Sequence, residues 1–173
     1  MQFIDFFAGI GGFRRGLELA GHKCIGFCEY DNYAVASYTA MHLITKEQVH
    51  YLKSLPLKQR QKEILKSEYR NGEWYAKDIS EVKGSEIPKA DIWTGGFPCQ
   101  DISVAGHQKG FKGERSSLFF QFVRLLKEQE EENKPEWIIL ENVKNLLSVN
   151  GGWDFARVLF ALGKVDRKST RLN

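Results

Sequence analysis

The sequence has none of the features that direct a chain into a membrane or out of the cell. In its 173 residues no apolar run approaches the roughly 20 that a membrane-spanning helix needs. The first residues, Met1 to Asp5, carry no basic segment ahead of an apolar core, so no secretory signal is expected. Internal repeats and low-complexity tracts are also missing. These absences predict a cytoplasmic globular protein with no membrane partner.

The net charge gives no indication of a nucleic-acid partner. The formal charge is +3, a sign that can accompany nucleic-acid binding. Residues 164–173 hold four cations and one anion, so residues 1–163 sum to zero. Most of this last segment is polar and without periodicity. We expect 164–173 to be a non-native or disordered tail, and 1–163 to form the domain.

Cysteine is scarce, with three in the chain, so the three cannot all pair with each other. Cys24 and Cys28 lie four residues apart in an apolar stretch, a spacing that returns to the same face of a strand. This spacing predicts that both are small apolar core groups, with a metal or redox role as the alternative. Cys99 lies in a different setting, a loop that follows a predicted strand.

Short apolar runs alternate along the chain with segments of helical spacing. The runs are too continuous for half-exposed strands and are typical of buried parallel strands: Phe3–Phe7, Cys24–Cys28, Trp74–Ala76, Ile92–Thr94 and Trp137–Leu140. Helical spacing is found at Gly12–Ala20, Tyr33–Met41, Ser117–Gln129 and Arg157–Gly163. The alternation predicts an α/β, doubly wound fold with a parallel sheet between helices.

Residues 45–70 form a polar, basic stretch that is interrupted by Pro56. Its apolar spacing predicts a helical insertion between the second and third strands. Seven Lys or Arg residues stand against three Glu in this stretch. They would either touch a phosphate backbone or form solvated helix faces, and the sequence leaves both open.

Distinctive residues follow each predicted strand, where open parallel sheets bind their ligands. In chain order they are the turn Phe7–Gly12, Glu29, Asp78, the loop Gly95–Gln100 and Glu141–Val143. Glycines let the backbone turn tightly and let a ligand approach closely. An acidic residue about 20 positions beyond such a turn can accept hydrogen bonds from ribose hydroxyls, although Glu29 could instead cap a helix near Asp31. Taken singly, the Pro-Cys and Glu-Asn pairs also have structural explanations.

Three of these segments together resemble the first, fourth and sixth motifs of DNA (cytosine-5) methyltransferases: Asp5–Phe13, Gly96–Gln100 and Glu141–Val143. Weaker resemblances to the second, third and fifth motifs lie at Glu29–Tyr30, Asp78–Ile79 and Gly113–Phe120. The resemblance covers about residues 2–163, and the Phe-Pro-Cys-Gln and Glu-Asn-Val pair is highly specific to the family.

The resemblance implies a Rossmann-like, S-adenosylmethionine-dependent methyltransferase fold with the parallel strand order 3-2-1-4-5. Family members also have an arginine motif that reaches the cytosine, a target-recognition domain and two last motifs. None of these is found here, so we expect a truncated catalytic domain that is inactive alone. We further expect the fifth strand to be an open edge.

The resemblance also implies a mechanism based on two residues. The thiolate of Cys99 would add to C6 of cytosine, and protonated Glu141 would hydrogen-bond the ring nitrogen N3. C5 would then attack the methyl group of S-adenosylmethionine, after which the C5 proton and Cys99 leave. No metal is expected.

The implied cofactor residues are Phe7, Gly9, Ile10, Gly11, Gly12, Glu29, Tyr30, Asp78, Ile79, Gly96, Pro98 and Leu118. Glu29 would accept from the ribose, with Tyr30 against the adenine ring. Asp78 would accept from the adenine amino group. Core packing is the alternative for Phe7, Ile79 and Leu118, and for Asp78 it is capping of the turn before Ser80.

The implied substrate is duplex DNA with a flipped cytosine, contacted by Gln100, Ser103, Arg115 and Asn142. Gly106, Gly110 and Gly113 suit a loop that closes over the base. A C-terminal half or partner subunit would complete the enzyme.

Other functions remain as alternatives at this level. The chain could be a non-catalytic half of a split methyltransferase, or an RNA cytosine methyltransferase, because RNA and DNA members can share these motifs. A nicotinamide-dependent oxidoreductase is disfavoured because the turn is G-x-G-G rather than G-x-G-x-x-G, and because that reaction has no need of Cys99.

Overall fold

The fold is built on a five-stranded sheet with the strand order β3-β2-β1-β4-β5, as the sequence predicted. The computed structural model describes residues 1–98 and 118–165, apart from the side chain of Val149. The strands are β1 Gln2–Phe6, β2 Lys23–Cys28, β3 Trp74–Ala76, β4 Ile92–Gly96 and β5 Trp137–Glu141. β1 pairs in parallel with β2 and with β4, and β2 pairs in parallel with β3.

Six α-helices accompany these strands within the described residues: α1 Gly12–Leu19, α2 Asn32–His42, α3 Lys46–Ser54, α4 Leu57–Glu63, α5 Leu118–Glu128 and α6 Trp153–Gly163. The prediction that the last helix begins at Arg157 is wrong by about one turn, since α6 begins at Trp153. Gly152, at φ 85°, precedes the first turn, and Trp153 is exposed, so the apolar spacing does not mark this start.

The described residues group into two compact units. Unit 1 holds residues 1–78, 88–95 and 135–139, and unit 2 holds 79–87, 96–98, 118–134 and 140–165. In these residues no helix is both long enough and apolar enough to span a bilayer.

The core of unit 1 lies around β1, whose residues are all buried except Gln2. Phe6 packs on Trp93 of β4 with 4.8 Å between ring centroids, and both side chains are fully buried. β3 and β5 differ from the prediction of buried strands. They are the edges of the sheet, and Trp137 of β5 is 54% exposed. The predicted placement of the fifth strand at an edge is confirmed.

A bulge in β2 changes which side chains share a face. Phe3 pairs with Cys24, but the next residue of β1, Ile4, pairs with Gly26. Ile25 is therefore an extra residue opposite β1, and an extra residue shifts the alternation of side chains by one.

The two cysteines of β2 are both buried, as predicted, but the prediction that they share a face is wrong. The sulfur of Cys24 lies 3.6 Å from the Tyr38 hydroxyl, and the ring of Phe27 stacks on Tyr38 at 4.0 Å. Cys24 thus shares a face with Phe27, and its neighbour Cys28 points the other way. Burial raises the pKa of Cys24 to about 11 and that of Cys28 to about 12, so both thiols stay neutral.

The stretch 45–70 is a helical insertion between β2 and β3, as predicted. It consists of α3, α4 and a short 3₁₀ turn at Ser67–Arg70. A capping box formed by Thr45 and Gln48 starts α3. The buried apolar side chains of the insertion are Leu52, Ile64 and Tyr69.

Unit 2 is organised around α5, whose buried face consists of Phe119, Phe122, Val123, Leu125 and Leu126. Phe97 packs on Phe119 with 4.8 Å between ring centroids. The segment before β5 contains a 3₁₀ turn at Glu131–Asn133, and further 3₁₀ turns at Lys144–Leu147 and Val149–Gly152 lead into α6.

Candidate active site

The glycine turn after β1, residues 7–12, has three residues in the left-handed region. Phe7 has φ 55°, Gly9 φ 54° and Gly11 φ 91°. Gly11 donates its N–H to the carbonyl of Ala8 at 2.8 Å, which closes the turn. Among the described residues, nothing lies within 4 Å of a Cβ built at Gly9 or Gly12. The turn is therefore tight and leaves open space beside it, the geometry that a ligand needs to approach the backbone.

Glu29 fixes this turn through its carboxylate. One oxygen accepts from the N–H of Gly9 at 2.8 Å, and the other accepts from the N–H of Asp31 at 2.8 Å. The N-cap of α2 is Asp31, which accepts from the N–H groups of Tyr33 and Ala34. The capping alternative for Glu29 thus belongs to Asp31, and Glu29 joins the cap to the turn.

Apolar and basic side chains are exposed in the segments that follow β1, β2 and β3. Ile10 is 58% exposed and Tyr30 is 68% exposed. The Nζ atom of Lys77 lies 5.5 Å from the centre of the Tyr30 ring. Asp78 is half-buried, and its charge and that of Glu29 both help burial to raise the pKa of Cys28. Asp78 and Glu29 thus act on one buried thiol at the ends of neighbouring strands.

A buried acid lies inside β1. Asp5 is fully buried and accepts from the Thr94 hydroxyl of β4 at 2.7 Å. Burial raises the pKa of Asp5 to about 7, against the opposing effects of the Thr94 hydrogen bond and of Arg14. An acid in an apolar run is a visible signal, but the sequence did not assign Asp5 a role.

Helix α1, which follows the turn, is held by an ionic group inside unit 1. Arg14 is buried, and its guanidinium makes two hydrogen bonds to Glu73, at 2.7 and 2.9 Å. A third hydrogen bond, at 2.9 Å, goes to Glu18. A buried charge needs such partners, so Arg14 fixes α1 against the residue that precedes β3.

In unit 2, the end of β5 lies beside the end of β4. A Cβ built at Gly96 would lie 3.1 Å from a carboxylate oxygen of Glu141, so this side chain is next to the backbone of the Gly-Phe-Pro segment. The Asn142 amide donates to the carbonyl of Phe97 at 2.7 Å. The described part of the segment that resembles the fourth family motif, Gly96–Pro98, therefore contacts the segment that resembles the sixth, Glu141–Val143. Glu141 and Pro98 are exposed.

The sequence matches the model of the C-5 cytosine-specific DNA methylase family over residues 1–66 and 49–166. The chain belongs to this family.

Two methyltransferases are similar in sequence to this chain over most of its length. Type II methyltransferase M.HhaI of Haemophilus parahaemolyticus is 36% identical over 152 residues, which are 88% of this chain and 36% of that protein. Orphan methyltransferase M.SPRI of Bacillus phage SPR is 34% identical over 154 residues, which are 88% of this chain and 28% of that protein.

A solved structure supports the fold. The crystal structure of S. pombe Dnmt2 methyltransferase superposes with a TM-score of 0.60 at 20% identity, over 92% of this chain and 41% of that one. The chain thus spans 28% to 41% of the length of these three proteins.

The cytosine methylase motifs are only partly covered by the described residues. The predicted nucleophile Cys99 and the predicted DNA contacts Gln100, Ser103 and Arg115 lie outside them, as do Gly106, Gly110 and Gly113. Leu118 is half-buried at the start of α5, and Ile79 is buried, as the core alternative for it requires. In the described parts of the chain no group of three His, Cys, Asp or Glu side chains is placed to hold a metal ion.

The segment that follows Asp78 is held by a residue that the sequence did not reveal. Arg124 of α5 donates to the carbonyls of Ile79 and Val82, at 3.0 and 2.9 Å, and pairs with Glu128 at 2.7 Å. One arginine in a charged helical segment gives no sequence signal for such contacts, because its acceptors are backbone groups about 40 residues away.

Proposed function

We propose that this chain carries the cofactor-binding and catalytic residues of an enzyme that transfers a methyl group to C5 of cytosine in DNA. The match to the family model supports this proposal. The structural observation that carries it is the position of Glu29, whose carboxylate is fixed by Gly9 and Asp31 beside an open glycine turn.

The residues around the turn fit S-adenosylmethionine, which when bound supplies the methyl group. Glu29 would accept from the ribose hydroxyls, because each carboxylate oxygen can accept more than one hydrogen bond. Tyr30 and Ile10 offer exposed apolar surface to a ring. The family motifs further assign to the cofactor Phe7, Gly9, Gly11, Gly12, Asp78, Ile79, Gly96, Pro98 and Leu118.

The catalytic steps that we propose depend on Cys99 and Glu141. Cytosine C5 is a poor nucleophile, so the thiolate of Cys99 first forms a bond to C6, and the C5–C6 π electrons become available at C5. Protonated Glu141 hydrogen-bonds N3 and stabilises the charge that develops there. C5 uses its electron pair to bond the methyl carbon, the bond from that carbon to the sulfonium sulfur breaks, and S-adenosylhomocysteine is the leaving group. A base then takes the C5 proton, the C5–C6 double bond re-forms and the Cys99 thiolate leaves.

We propose duplex DNA as the substrate, with the target cytosine flipped out of the helix. Extrusion costs a few kcal/mol, which protein contacts must offset. Gln100, Ser103, Arg115 and Asn142 are the residues that the resemblance assigns to these contacts. The bacterial and phage sources of two relatives support a cytoplasmic reaction, and the name of one, a type II methyltransferase, supports a restriction-modification context.

We propose that methyl transfer needs more protein than these residues. The chain spans 36% of M.HhaI and 28% of M.SPRI. A target-recognition domain and an arginine that reaches the base would come from a C-terminal half or a partner subunit.

Binding of S-adenosylmethionine and complementation together test this function. We expect the chain to bind S-adenosylmethionine weakly in calorimetry, and Glu29→Gln to weaken binding about 10- to 100-fold, since hydrogen bonds to a charged group are lost. Glu47→Gln, on the exposed start of α3, is the matched control and should leave binding unchanged.

The methyl-transfer assay separates the remaining candidates. We expect methylation of duplex DNA only when a related C-terminal half is added. Methylation of DNA by the chain alone would contradict the need for that half. Methylation of RNA but not DNA would favour the RNA alternative, and intact binding with no transfer in any mixture would favour a non-catalytic role.

A further inference from the structure

Helix α2 is linked to the glycine turn at both of its ends. At its N-terminal end, Glu29 joins the N–H of Asp31, the N-cap, to the N–H of Gly9. At its C-terminal end, the Nε2 atom of His42 lies 2.9 Å from the carbonyl oxygen of Ile10. A carbonyl only accepts, so Nε2 carries the proton and donates. Two successive residues of the turn are therefore linked to one helix, Gly9 through Glu29, which precedes the helix, and Ile10 directly through His42.

His42 also fills the space on one side of Gly11. A Cβ built at Gly11 would lie 2.7 Å from Cδ2 of His42 and 3.1 Å from a ring carbon of Tyr38. Real Cβ atoms do not approach other atoms so closely. Packing by His42 and the positive φ of Gly11 both require glycine here.

The His42 ring is held in place by packing against other side chains. Its edge packs on Tyr38 with 5.0 Å between ring centroids. Tyr38 is fully buried, stacks on Phe27 and lies 3.4 Å from a guanidinium nitrogen of Arg14. The ring therefore packs on a buried part of the unit 1 core.

We infer that His42 is a positioning residue for the cofactor: it holds the Ile10–Gly11 peptide so that the glycine turn stays open to S-adenosylmethionine. This inference rests on the proposed function for the identity of the ligand. Gly9 and Gly12, beside which the described residues leave open space, are the places where the ligand would approach. His42 touches the turn and not the reacting atoms, so it acts on binding through the backbone.

The test compares two amides that differ only in reach. In His42→Gln the side-chain nitrogen can occupy the position of Nε2, whereas in His42→Asn it is too short. His50→Asn, on the exposed face of α3, is the control. Three quantities are measured on the full chain: the Kd of S-adenosylmethionine, the amide hydrogen exchange of residues 9–13, and the melting temperature.

We expect His42→Asn to raise the Kd about 3- to 10-fold, the effect of one net hydrogen bond, and to speed exchange in residues 9–13. His42→Gln should stay within about twofold of the wild type, and His50→Asn should change nothing. Equal Kd and equal exchange in His42→Asn and wild type would overturn the inference. So would a His42→Gln variant that is as impaired as His42→Asn.

The two readouts separate the inference from the function on which it rests. The wild type could fail to bind S-adenosylmethionine while amide exchange in residues 9–13 is faster in His42→Asn and unchanged in His42→Gln. In that case His42 holds the turn and the proposed ligand is wrong. If all variants bind equally and exchange does not change, the proposed ligand stands and the role of His42 is wrong. Should His42→Asn not fold, rescue of both folding and binding by His42→Gln still supports the contact, and failure of both variants to bind overturns it.

Discussion

Two neighbouring glycines show how single residues shape the candidate site. Gly11 has φ 91°, and His42 and Tyr38 occupy the place where its Cβ would be. Gly12 begins α1, and apart from its chain neighbours and the backbone of its own helix no described atom lies within 4 Å of the corresponding place. The first glycine is therefore required by the fold, whereas the second has open space beside it.

We predict that Gly11→Ala lowers the free energy of unfolding by about 2–4 kcal/mol, from backbone strain and overpacking together. Gly12→Ala should change it by less than about 1 kcal/mol, yet weaken S-adenosylmethionine binding. Adding His42→Ala to Gly11→Ala should restore part of the loss, because the clash is relieved and the strain is not. Urea unfolding measures all three, and equal losses for the two glycines would contradict this account.

The buried acid Asp5 predicts a dependence of stability on pH. The pKa of Asp5 is about 7 in the folded chain against 3.8 for an ordinary aspartic acid, mainly because of burial. Between these values the unfolded chain has lost the proton that the folded chain keeps, so stability falls as the pH rises through this window. The stabilising contribution is present below pH about 4 and is lost above pH about 7. Asn at position 5 cannot ionise. The free energy of unfolding of Asp5→Asn should therefore rise relative to that of the wild type as the pH is raised from 5 to 8. A constant difference between the two across that range would count against the buried proton.

At the scale of the elements, the sequence predicted the strand positions because apolar runs are local signals, whereas the strand order came from the resemblance to the family. It did not predict the bulge at Ile25, which changes the face of Cys24, because a bulge depends on how β1 and β2 pair. The prediction that β3 and β5 are fully buried was wrong for a similar reason. Whether a strand lies at an edge is decided by its neighbours and not by its own residues.

The same limit applies to the candidate site. The motifs identified Glu29 and Glu141 because both lie at the carboxyl ends of strands. His42 and Arg124 were missed because their partners are backbone carbonyls of distant segments. The side-chain types of such partners carry no information, so a single sequence cannot reveal these contacts.

We predict that Arg124→Lys destabilises the chain by about 1–3 kcal/mol. Lysine keeps the charge, but it cannot donate at once to Ile79, Val82 and Glu128 as the guanidinium does. The segment after Asp78 would loosen, so S-adenosylmethionine should also bind more weakly. Arg157→Lys, an exposed position on α6, is the control for unfolding and for binding. No difference between the two variants would mean that these hydrogen bonds do not fix the segment.

At the scale of the whole molecule, α6 and β5 are two of the elements on which several large apolar side chains remain exposed. On α6, Trp153 is 73% exposed and Phe160 is 66% exposed. On the edge strand β5, Trp137 is 54% exposed and Ile139 is 39% exposed. An uncovered apolar edge strand recruits other chains.

We predict that the chain self-associates at micromolar concentration, and that Ile139→Lys reduces this association because a charge on an edge strand disfavours pairing. Light scattering of the wild type and the variant checks this. The charge-matched variant Leu57→Lys, on exposed α4, should not have the same effect. A monodisperse wild-type monomer at high concentration would contradict the prediction.

The proposed methyl transfer depends on Cys99 as the nucleophile toward cytosine. The most direct measurement joins the chain to a related C-terminal half and offers duplex DNA that contains 5-fluorocytosine, together with S-adenosylmethionine. Fluorine at C5 blocks the loss of a proton, so the enzyme cannot release the base. The account predicts a covalent protein–DNA adduct whose mass maps to Cys99, and no adduct with Cys99→Ser. A folded, cofactor-binding fusion that forms no adduct, or an equal yield from the serine variant, would contradict it.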